Sequence, residues 1–384
     1  MNNQRWLSIS FLAFFFTWGV FVPYWTGWLT NEKGMSVKAA SIIMGAGMVV
    51  RAFSTFLIFP YLTSRTSYIR VIKWMTLLSV VIAIFYIPES TFTTLLIITV
   101  LFSIVYPIIL PGVESGASVL MQKERIHYGK SRSFGSIGYT IALLLVGGAT
   151  AIWNEQAILY MMIAGLAAAG IFFMRPAPAV LNELPEKLVH PVEKAGIRSL
   201  FATKGFPVIM LLAILLQGAH ASYYNYGYLF LDDLDVNGFT IGVILNIAVL
   251  FEIIFFTQAD RFLSNMRIST MFLLAGVGST VRWVIIFLFP TAAIFVLSQG
   301  LHALSFGIAH YAFIQYISKN LPHSKIASAQ GFYAAFAMSL SAAILTFPAG
   351  YLYDLSPGAA FLGMTVCTIP AVVIVLVTRK RLAY

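Results

Sequence analysis

The sequence predicts an all-α membrane protein with twelve transmembrane helices in two pseudo-symmetric six-helix halves. Hydrophobic residues make up 59% of the 384 residues and charged residues only 10%, whereas a soluble domain carries about a quarter charged residues. Apolar runs of the length that crosses a bilayer, about 20 residues, recur along the whole chain. One polar, proline-containing stretch divides these runs into two groups of six, and together these observations exclude a soluble protein.

Six apolar runs precede the polar stretch and form the predicted N-terminal half, residues 1–174. The fourth run contains Pro107 and Pro111, which predict a kink within one helix rather than two separate spans. Bounded by charges and by Gly or Pro breaks, the six runs lie at about residues 6–29, 37–60, 70–87, 92–121, 132–153 and 156–174.

The polar stretch itself, residues 175–205, holds four prolines and eight charged side chains. This is the composition of a linker, and we predict that it lies in the cytoplasm. Residues 206–384 then form the predicted C-terminal half. Its six runs lie at about residues 206–231, 238–259, 268–289, 291–317, 325–353 and 358–378.

Basic residues are unevenly distributed over the segments between the spans. With a cytoplasmic N-terminus, 20 of the 24 Lys and Arg residues lie in cytoplasmic segments, whereas the opposite face keeps only Lys33 and Lys38. This is the positive-inside distribution, so both termini are predicted to be cytoplasmic. The net charge of +10 therefore reports topology, and no nucleic-acid partner is expected.

Two features of the sequence limit its chemistry. The single cysteine, Cys367, excludes a disulfide framework and a cysteine-based metal site. A GxxxxGK[ST] phosphate-binding loop is absent from the sequence, so ATP-driven transport by this chain is not expected. We expect no cofactor and no metal, with a proton gradient as the driving force.

Few charges lie inside the apolar runs, and they form two candidate pairs. Glu114 and Arg132 are equidistant from the loop between spans four and five, so an antiparallel hairpin places them at similar depth. Glu252 and Arg282 have the same relation to the loop between spans eight and nine. Ionisable residues in a membrane face a partner or a water-filled cavity, so each pair is either a structural ion pair or part of a transport site. Arg51 is a fifth intramembrane charge.

Spans seven and ten add neutral polar candidates. Span ten carries Gln299, His302 and His310, and span seven carries Gln217, His220 and Tyr224. Histidine has an ordinary pKa near 6.5 and is a credible proton carrier or substrate donor. The alternative is that these side chains are hydrogen-bonded packing residues.

Span one is aromatic throughout. Phe14, Trp18 and Phe21 are one helical turn apart and are predicted to form an apolar wall for stacking. Trp25 and Trp28 lie near the outer end of the span, where an interfacial aromatic belt is the simpler interpretation.

The segment 128–139, YGKSRSFGSIGY, resembles the lactose permease type of oligosaccharide–proton symporter in the major facilitator superfamily. In that family a glutamate eighteen residues before the arginine, here Glu114, binds sugar together with that arginine, here Arg132. The resemblance continues at Arg282, whose counterpart supports proton coupling, and at His302, whose counterpart takes part in sugar recognition and coupling. The family's coupling glutamate three residues after that histidine is replaced by Ser305.

A closer resemblance, over nearly the whole chain, is to the 3-phenylpropionic acid transporter family. It implies the major facilitator fold, a monomer, and uptake of an aryl-propionate anion with protons across a bacterial inner membrane. The segments that carry it are Arg5-Trp-Leu, Pro23-Tyr-Trp, GAGMVVR at 45–51, LLQGAHASYY at 215–224 and Val281-Arg-Trp.

The leading hypothesis is therefore proton-coupled uptake of a small aromatic carboxylate by a multi-pass protein that is not an enzyme. The substrate ring would lie against span one, and Arg132 or Arg51 would bind its carboxylate. Glu252 is the expected proton-carrying group, because burial favours the neutral form of a carboxyl. Predicted substrate-binding residues are Glu114, Arg132, Arg51, Phe14, Trp18, Phe21, Gln217, His220, Tyr224 and His302, and predicted proton-coupling residues are Glu252, Arg282 and His302.

Two other classes of function remain open from the sequence. A sugar or nucleoside proton symporter would use Glu114 as a hydrogen-bond acceptor and Arg132 as a donor. A polytopic membrane enzyme or a receptor is a remote alternative, since the histidines have no Asp, Ser or Cys beside them in a catalytic arrangement.

Overall fold

The computed structural model describes residues 2–88, 91–124, 126–183 and 197–382. All regular structure in these ranges is helical. The N-terminal helices are α1 (Asn3–Gly27), α2 (Val37–Phe53), α3 (Phe59–Thr63), α4 (Tyr68–Ile84), α5 (Phe92–Val105), α6 (Ile109–Glu124), α7 (Tyr128–Ile152) and α8 (Gln156–Met174). They are followed by α9 (Ile197–Phe201), α10 (Phe206–Gly218), α11 (Ala221–Asp232), α12 (Gly238–Leu263), α13 (Ile268–Leu288), α14 (Ala292–His302), α15 (Ile308–Asn320), α16 (His323–Phe332), α17 (Ser341–Leu355), α18 (Pro357–Gly363) and α19 (Thr365–Leu382).

Eleven helical stretches in the described ranges are long and apolar enough, by length and composition, to cross a membrane. The predicted third span corresponds to α4, which has 17 residues. At 1.5 Å per residue this helix is about 25 Å long, shorter than a hydrocarbon core of about 30 Å. The all-α membrane architecture is confirmed, while the count of twelve and the cytoplasmic termini stay predictions.

The long helices contain breaks that position site residues. Span four is kinked as predicted from its prolines: α5 ends at Val105, a 3-10 turn covers Tyr106–Ile108, and α6 begins at Ile109. Wider π-helical turns occur at Trp28–Glu32, Ser54–Ile58, Ala303–Gly307 and Tyr333–Leu340. Such turns inside α-helices are frequent at functional sites.

The chain forms two compact units, Met1–Pro191 with Asn237–Val243, and Val192–Val236 with Ile244–Tyr384. The start of α12 belongs to the first unit, where Gly238 and Gly242 approach the backbone of α7. The predicted linker, residues 175–205, lies partly outside the described residues, so the domain division at 174 and 206 stays a prediction.

Glycines allow the close helix packing that both units need. A Cβ on Gly138 of α7 would lie 2.4 Å from the backbone oxygen of Leu12 in α1, which explains why small residues follow Arg132 in the sequence. In the second unit a Cβ on Gly278 would lie 2.3 Å from the side chain of Leu304. This contact brings the π-helical turn 303–307 against α13, one helical turn from Arg282.

Candidate functional site

The second unit contains a buried polar cluster centred on Arg282 of α13, whose exposed fraction is 0%. Its Nη1 donates to Nδ1 of His302 at 2.9 Å and to Oγ of Ser305 at 3.3 Å. Its guanidinium also lies over the rings of Tyr223 and Trp283, at 4.6 and 4.7 Å from their centres. A buried charge is tolerated only when hydrogen bonds and polarisable neighbours replace water, and this cluster supplies both.

These contacts determine the tautomer of His302. A guanidinium has only donors, so Nδ1 of His302 accepts and its single proton is on Nε2. That nitrogen faces the Glu252 carboxylate of α12, with 3.6 Å between Nε2 and Oε2. A second proton on His302 would point from Nδ1 at the Arg282 donor. His302 therefore takes up a proton only if Arg282 moves away from it.

Two further polar groups extend the cluster. Nε2 of His220 lies 3.1 Å from Oγ of Ser305, and its Nδ1 lies 3.0 Å from the carbonyl oxygen of Leu216. Tyr223 donates its hydroxyl to Oε1 of Gln299 at 3.0 Å. Side chains from α11, α12, α13, α14 and the π-helical turn thus meet in one network with His220, which lies between α10 and α11.

Several side chains next to the cluster are only partly buried. Glu252, Tyr224, Phe306 and His310 are partly exposed, whereas the Arg282 network behind them is buried. The buried network can set the orientation and charge of the accessible groups without itself contacting a ligand.

The first unit contains a parallel aromatic stack. Phe14 of α1 stacks on Tyr106 with 5.0 Å between ring centres and 6° between planes, and on Trp18 with 5.8 Å and 20°. Tyr106 also stacks on Phe102 and donates its hydroxyl to the carbonyl oxygen of Phe14 at 2.7 Å. Trp18 is only partly buried, so part of its side chain is exposed.

Two arginines of the first unit have different surroundings. The guanidinium of Arg51 lies 4.8 Å from the ring centre of Trp18. Arg132 lies 3.6 Å from Oε1 of Glu114, whose other oxygen accepts the Tyr128 hydroxyl at 2.8 Å. Both members of this ion pair are about a third exposed, so it contributes only about 0–1 kcal/mol to stability. The predicted proximity of Glu114 and Arg132 is observed.

Two sequence-based interpretations need correction. Phe21 is not in the Phe14–Trp18 stack, because its ring packs on Phe102 and Trp25 instead. Trp25 and Trp28 are 0% exposed and stack at 4.4 Å between ring centres, so the interfacial-belt interpretation of these two is wrong.

Sequence reasoning missed several members of both groups of contacts. One feature of the sequence could have indicated Tyr106 and Phe102, namely their position near the predicted kink at Pro107. Tyr333 carried no signal of its own in the sequence, whereas Tyr223 lies in the segment LLQGAHASYY at 215–224 that carries the family resemblance. Gln217, a predicted binding residue, is buried and donates to the Tyr333 hydroxyl at 2.9 Å.

Metal binding finds no support in the described part of the chain, where no group of three His, Cys, Asp or Glu side chains is arranged to hold an ion. The chemistry available is aromatic stacking, binding of an anion by arginine, and proton exchange among histidine and carboxyl groups.

Comparison with known proteins places this geometry in a family. The sequence pattern of the MFS_1 like family matches residues 4–362. The chain is 26% identical over 373 residues to a probable 3-phenylpropionic acid transporter of Escherichia coli K12, covering 97% of each chain. It is 24% identical over 378 residues to a maltose permease of Geobacillus stearothermophilus, covering 97% and 94%. The crystal structure of the nucleoside transporter NupG aligns over 100% of both chains, with a TM-score of 0.81 and 16% identity.

Proposed function

Given that the chain belongs to the MFS_1 like family, we propose that it takes up a small aromatic carboxylate, such as 3-phenylpropionate, with protons across a bacterial inner membrane. Family and relatives indicate a membrane transporter and not an enzyme. The observation that carries the substrate proposal is the position of Arg51 on the partly exposed ring of Trp18. An aromatic group with a cation against it matches a ligand with a ring and a carboxylate.

Arg51 and Arg132 both lie over aromatic rings, Arg51 at 4.8 Å from the ring centre of Trp18 and Arg132 at 4.2 Å from that of Phe15. Arg132 already has the Glu114 carboxylate at 3.6 Å, and a second carboxylate there would meet like charge unless Glu114 were protonated. The Arg51 guanidinium lies beside the aromatic stack and offers a planar fork of donors. A ring on Trp18 and a carboxylate on Arg51 can therefore be bound together.

Proton coupling is supported by the arrangement around His302. In its neutral form His302 accepts from Arg282 and faces Glu252. Protonation would break the first contact and strengthen the second, because an imidazolium repels the guanidinium and attracts the carboxylate. The same three side chains thus have two alternative arrangements, which differ by one proton.

A sugar or a nucleoside is the second candidate. The Glu114, Tyr128 and Arg132 side chains offer acceptors and donors together, as a neutral polyhydroxylated ligand requires. The maltose permease and the nucleoside transporter among the similar proteins support this alternative.

Counterflow in proteoliposomes distinguishes the candidates. Liposomes loaded with unlabelled 3-phenylpropionate, a sugar or a nucleoside receive the labelled compound outside, with protein-free liposomes correcting for passive entry. We expect exchange of 3-phenylpropionate, and no competition by sugars or nucleosides. Exchange of a sugar or nucleoside that 3-phenylpropionate does not inhibit would overturn the substrate proposal.

A further inference from the structure

A second histidine in the second unit forms its own hydrogen-bonded chain. Nδ1 of His310 lies 2.9 Å from the hydroxyl of Tyr333, and that hydroxyl accepts from Nε2 of Gln217 at 2.9 Å. The other amide atom of Gln217, Oε1, is buried without a hydrogen-bond partner in the described structure. The series of hydrogen bonds therefore ends at the Gln217 amide, whose Nε2 is hydrogen-bonded and whose Oε1 is not.

The hydrogen bonds that join Gln217, Tyr333 and His310 can point in either direction. As oriented, Gln217 donates to Tyr333, Tyr333 donates to His310, and the single proton of His310 is on Nε2. If the amide turns over, Tyr333 donates to Oε1 of Gln217, and Nδ1 of His310 donates to Tyr333. Both directions keep the same number of hydrogen bonds, and the second leaves Nε2 of His310 available to bind a proton. His302 lacks this freedom, since its Nδ1 faces the donor-only Arg282.

His310 also lies beside the proton-coupling candidates. The rings of His302, Phe306 and His310 are stacked in series, with 5.3 and 6.0 Å between successive centres and interplanar angles of 2° and 5°. The first ring of this series, His302, has Nε2 3.6 Å from Oε2 of Glu252. Phe256, one turn after Glu252 in α12, meets the His310 ring edge-on at 5.9 Å.

We propose that His310 is a second proton-binding group, which receives the transported proton from Glu252 and releases it towards the end of α15 at Asn320. This inference rests on the proposed proton coupling. An O–H bond of the Glu252 carboxyl breaks as an N–H bond forms at Nε2 of His310, which leaves a carboxylate and an imidazolium. Loss of that proton to water restores neutral His310. Both side chains are partly exposed, so water can carry the proton between them.

The side of the membrane to which His310 releases the proton follows from its position in the sequence. His310 is eight residues after His302, about 12 Å along the helix axis. It lies nearer Lys319 and Lys325, which the positive-inside distribution places in the cytoplasm. His310 is thus on the side to which an imported proton must leave.

The test separates exchange from net transport. In exchange a loaded carrier returns loaded, so no proton has to be released, whereas net uptake needs proton release on the inside. His310→Asn keeps a polar partner for Tyr333 but cannot bind a proton. His127→Asn is the matched control, because His127 contacts Gln4 through its backbone N–H and C=O. Each protein is reconstituted in liposomes that contain a pH-sensitive dye.

We expect His310→Asn to exchange 3-phenylpropionate within about twofold of wild type. Proton entry driven by a 3-phenylpropionate gradient, above that of protein-free liposomes, should fall by about 10²-fold, the low end for a positioned proton-transfer group. The His127→Asn control should match wild type in both measurements.

Two results would overturn the role of His310 without refuting proton coupling itself. One is proton entry at the wild-type rate in His310→Asn. The other is loss of exchange in both His310→Asn and His310→Gln, which would place His310 in substrate binding or folding. Exchange without proton entry in the wild-type protein would instead refute proton coupling itself, and the role of His310 with it.

Discussion

Replacing Arg51 by Gln tests the arrangement on which the substrate proposal depends. The guanidinium of Arg51 is partly exposed and lies 4.8 Å from the ring centre of Trp18. A cation–π contact at such a site contributes about 0.5–1 kcal/mol, so the variant is expected to fold. Gln keeps a polar side chain of similar length but removes the positive charge.

The size of the expected change in affinity follows from the hydrogen bond between Arg51 and the substrate carboxylate that the variant loses. A hydrogen bond between charged groups contributes about 1.5–3 kcal/mol, which corresponds to a decrease in affinity of about 10- to 150-fold. We expect the apparent KM for 3-phenylpropionate in counterflow to rise by this factor. The neutral alcohol 3-phenylpropanol, tested as a competitor against wild type and variant, should bind both with similar affinity, because it has no carboxylate.

Arg65→Gln is the matched control for this substitution. Arg65 also lies over an aromatic ring, that of Tyr61 at 4.4 Å, but it is in the loop after α3 and away from the Phe14–Trp18–Tyr106 stack. Its replacement should leave the KM unchanged. The reasoning is refuted if Arg51→Gln leaves the KM for the acid unchanged, or if it weakens the acid and the alcohol equally.

The remaining predictions concern coupling, packing and topology. Glu252→Gln should retain counterflow but lose accumulation driven by a pH gradient, because an amide cannot carry the proton; full accumulation would remove Glu252 from coupling. Gly138→Ala should lower the free energy of unfolding by about 1–3 kcal/mol, since its Cβ would lie 2.4 Å from a backbone oxygen of α1, whereas Gly129→Ala has nothing within 4 Å of its Cβ and should be neutral or stabilising. Thermal unfolding in detergent measures both, and equal melting temperatures would contradict the packing argument. Alkaline phosphatase fused after Asp233 should be active in cells and fused after Lys194 inactive; the reverse pattern would invert the topology.

Several features of the site follow from the sequence because they are local along the chain. Glu114 and Arg132 belong to consecutive helices, and their equal distance from the connecting loop fixes a common depth. Phe14 and Trp18 share one helix face by spacing alone. The kink at Pro107 follows from the missing N–H of proline.

Other features depend on tertiary packing that the sequence does not state. The hairpin argument pairs Glu252 with Arg282, but His302 comes from a different helix and lies between them in the chain of contacts. The close approach of the π-helical turn at 303–307 depends on Gly278, whose role is invisible without its neighbour Leu304. The length of α4 could not be predicted either, because hydropathy indicates a membrane span but not the residue at which the helix ends.

The most direct test of the account is the uptake of labelled 3-phenylpropionate into proteoliposomes with an alkaline interior, compared with liposomes at equal pH. Protein-free liposomes, with and without the pH gradient, provide the two backgrounds for entry of the neutral acid. We predict accumulation above both backgrounds only with the pH gradient, and its loss when a protonophore removes that gradient. Uptake by wild-type protein that equals the protein-free background would contradict a proton-coupled transporter of aromatic carboxylates.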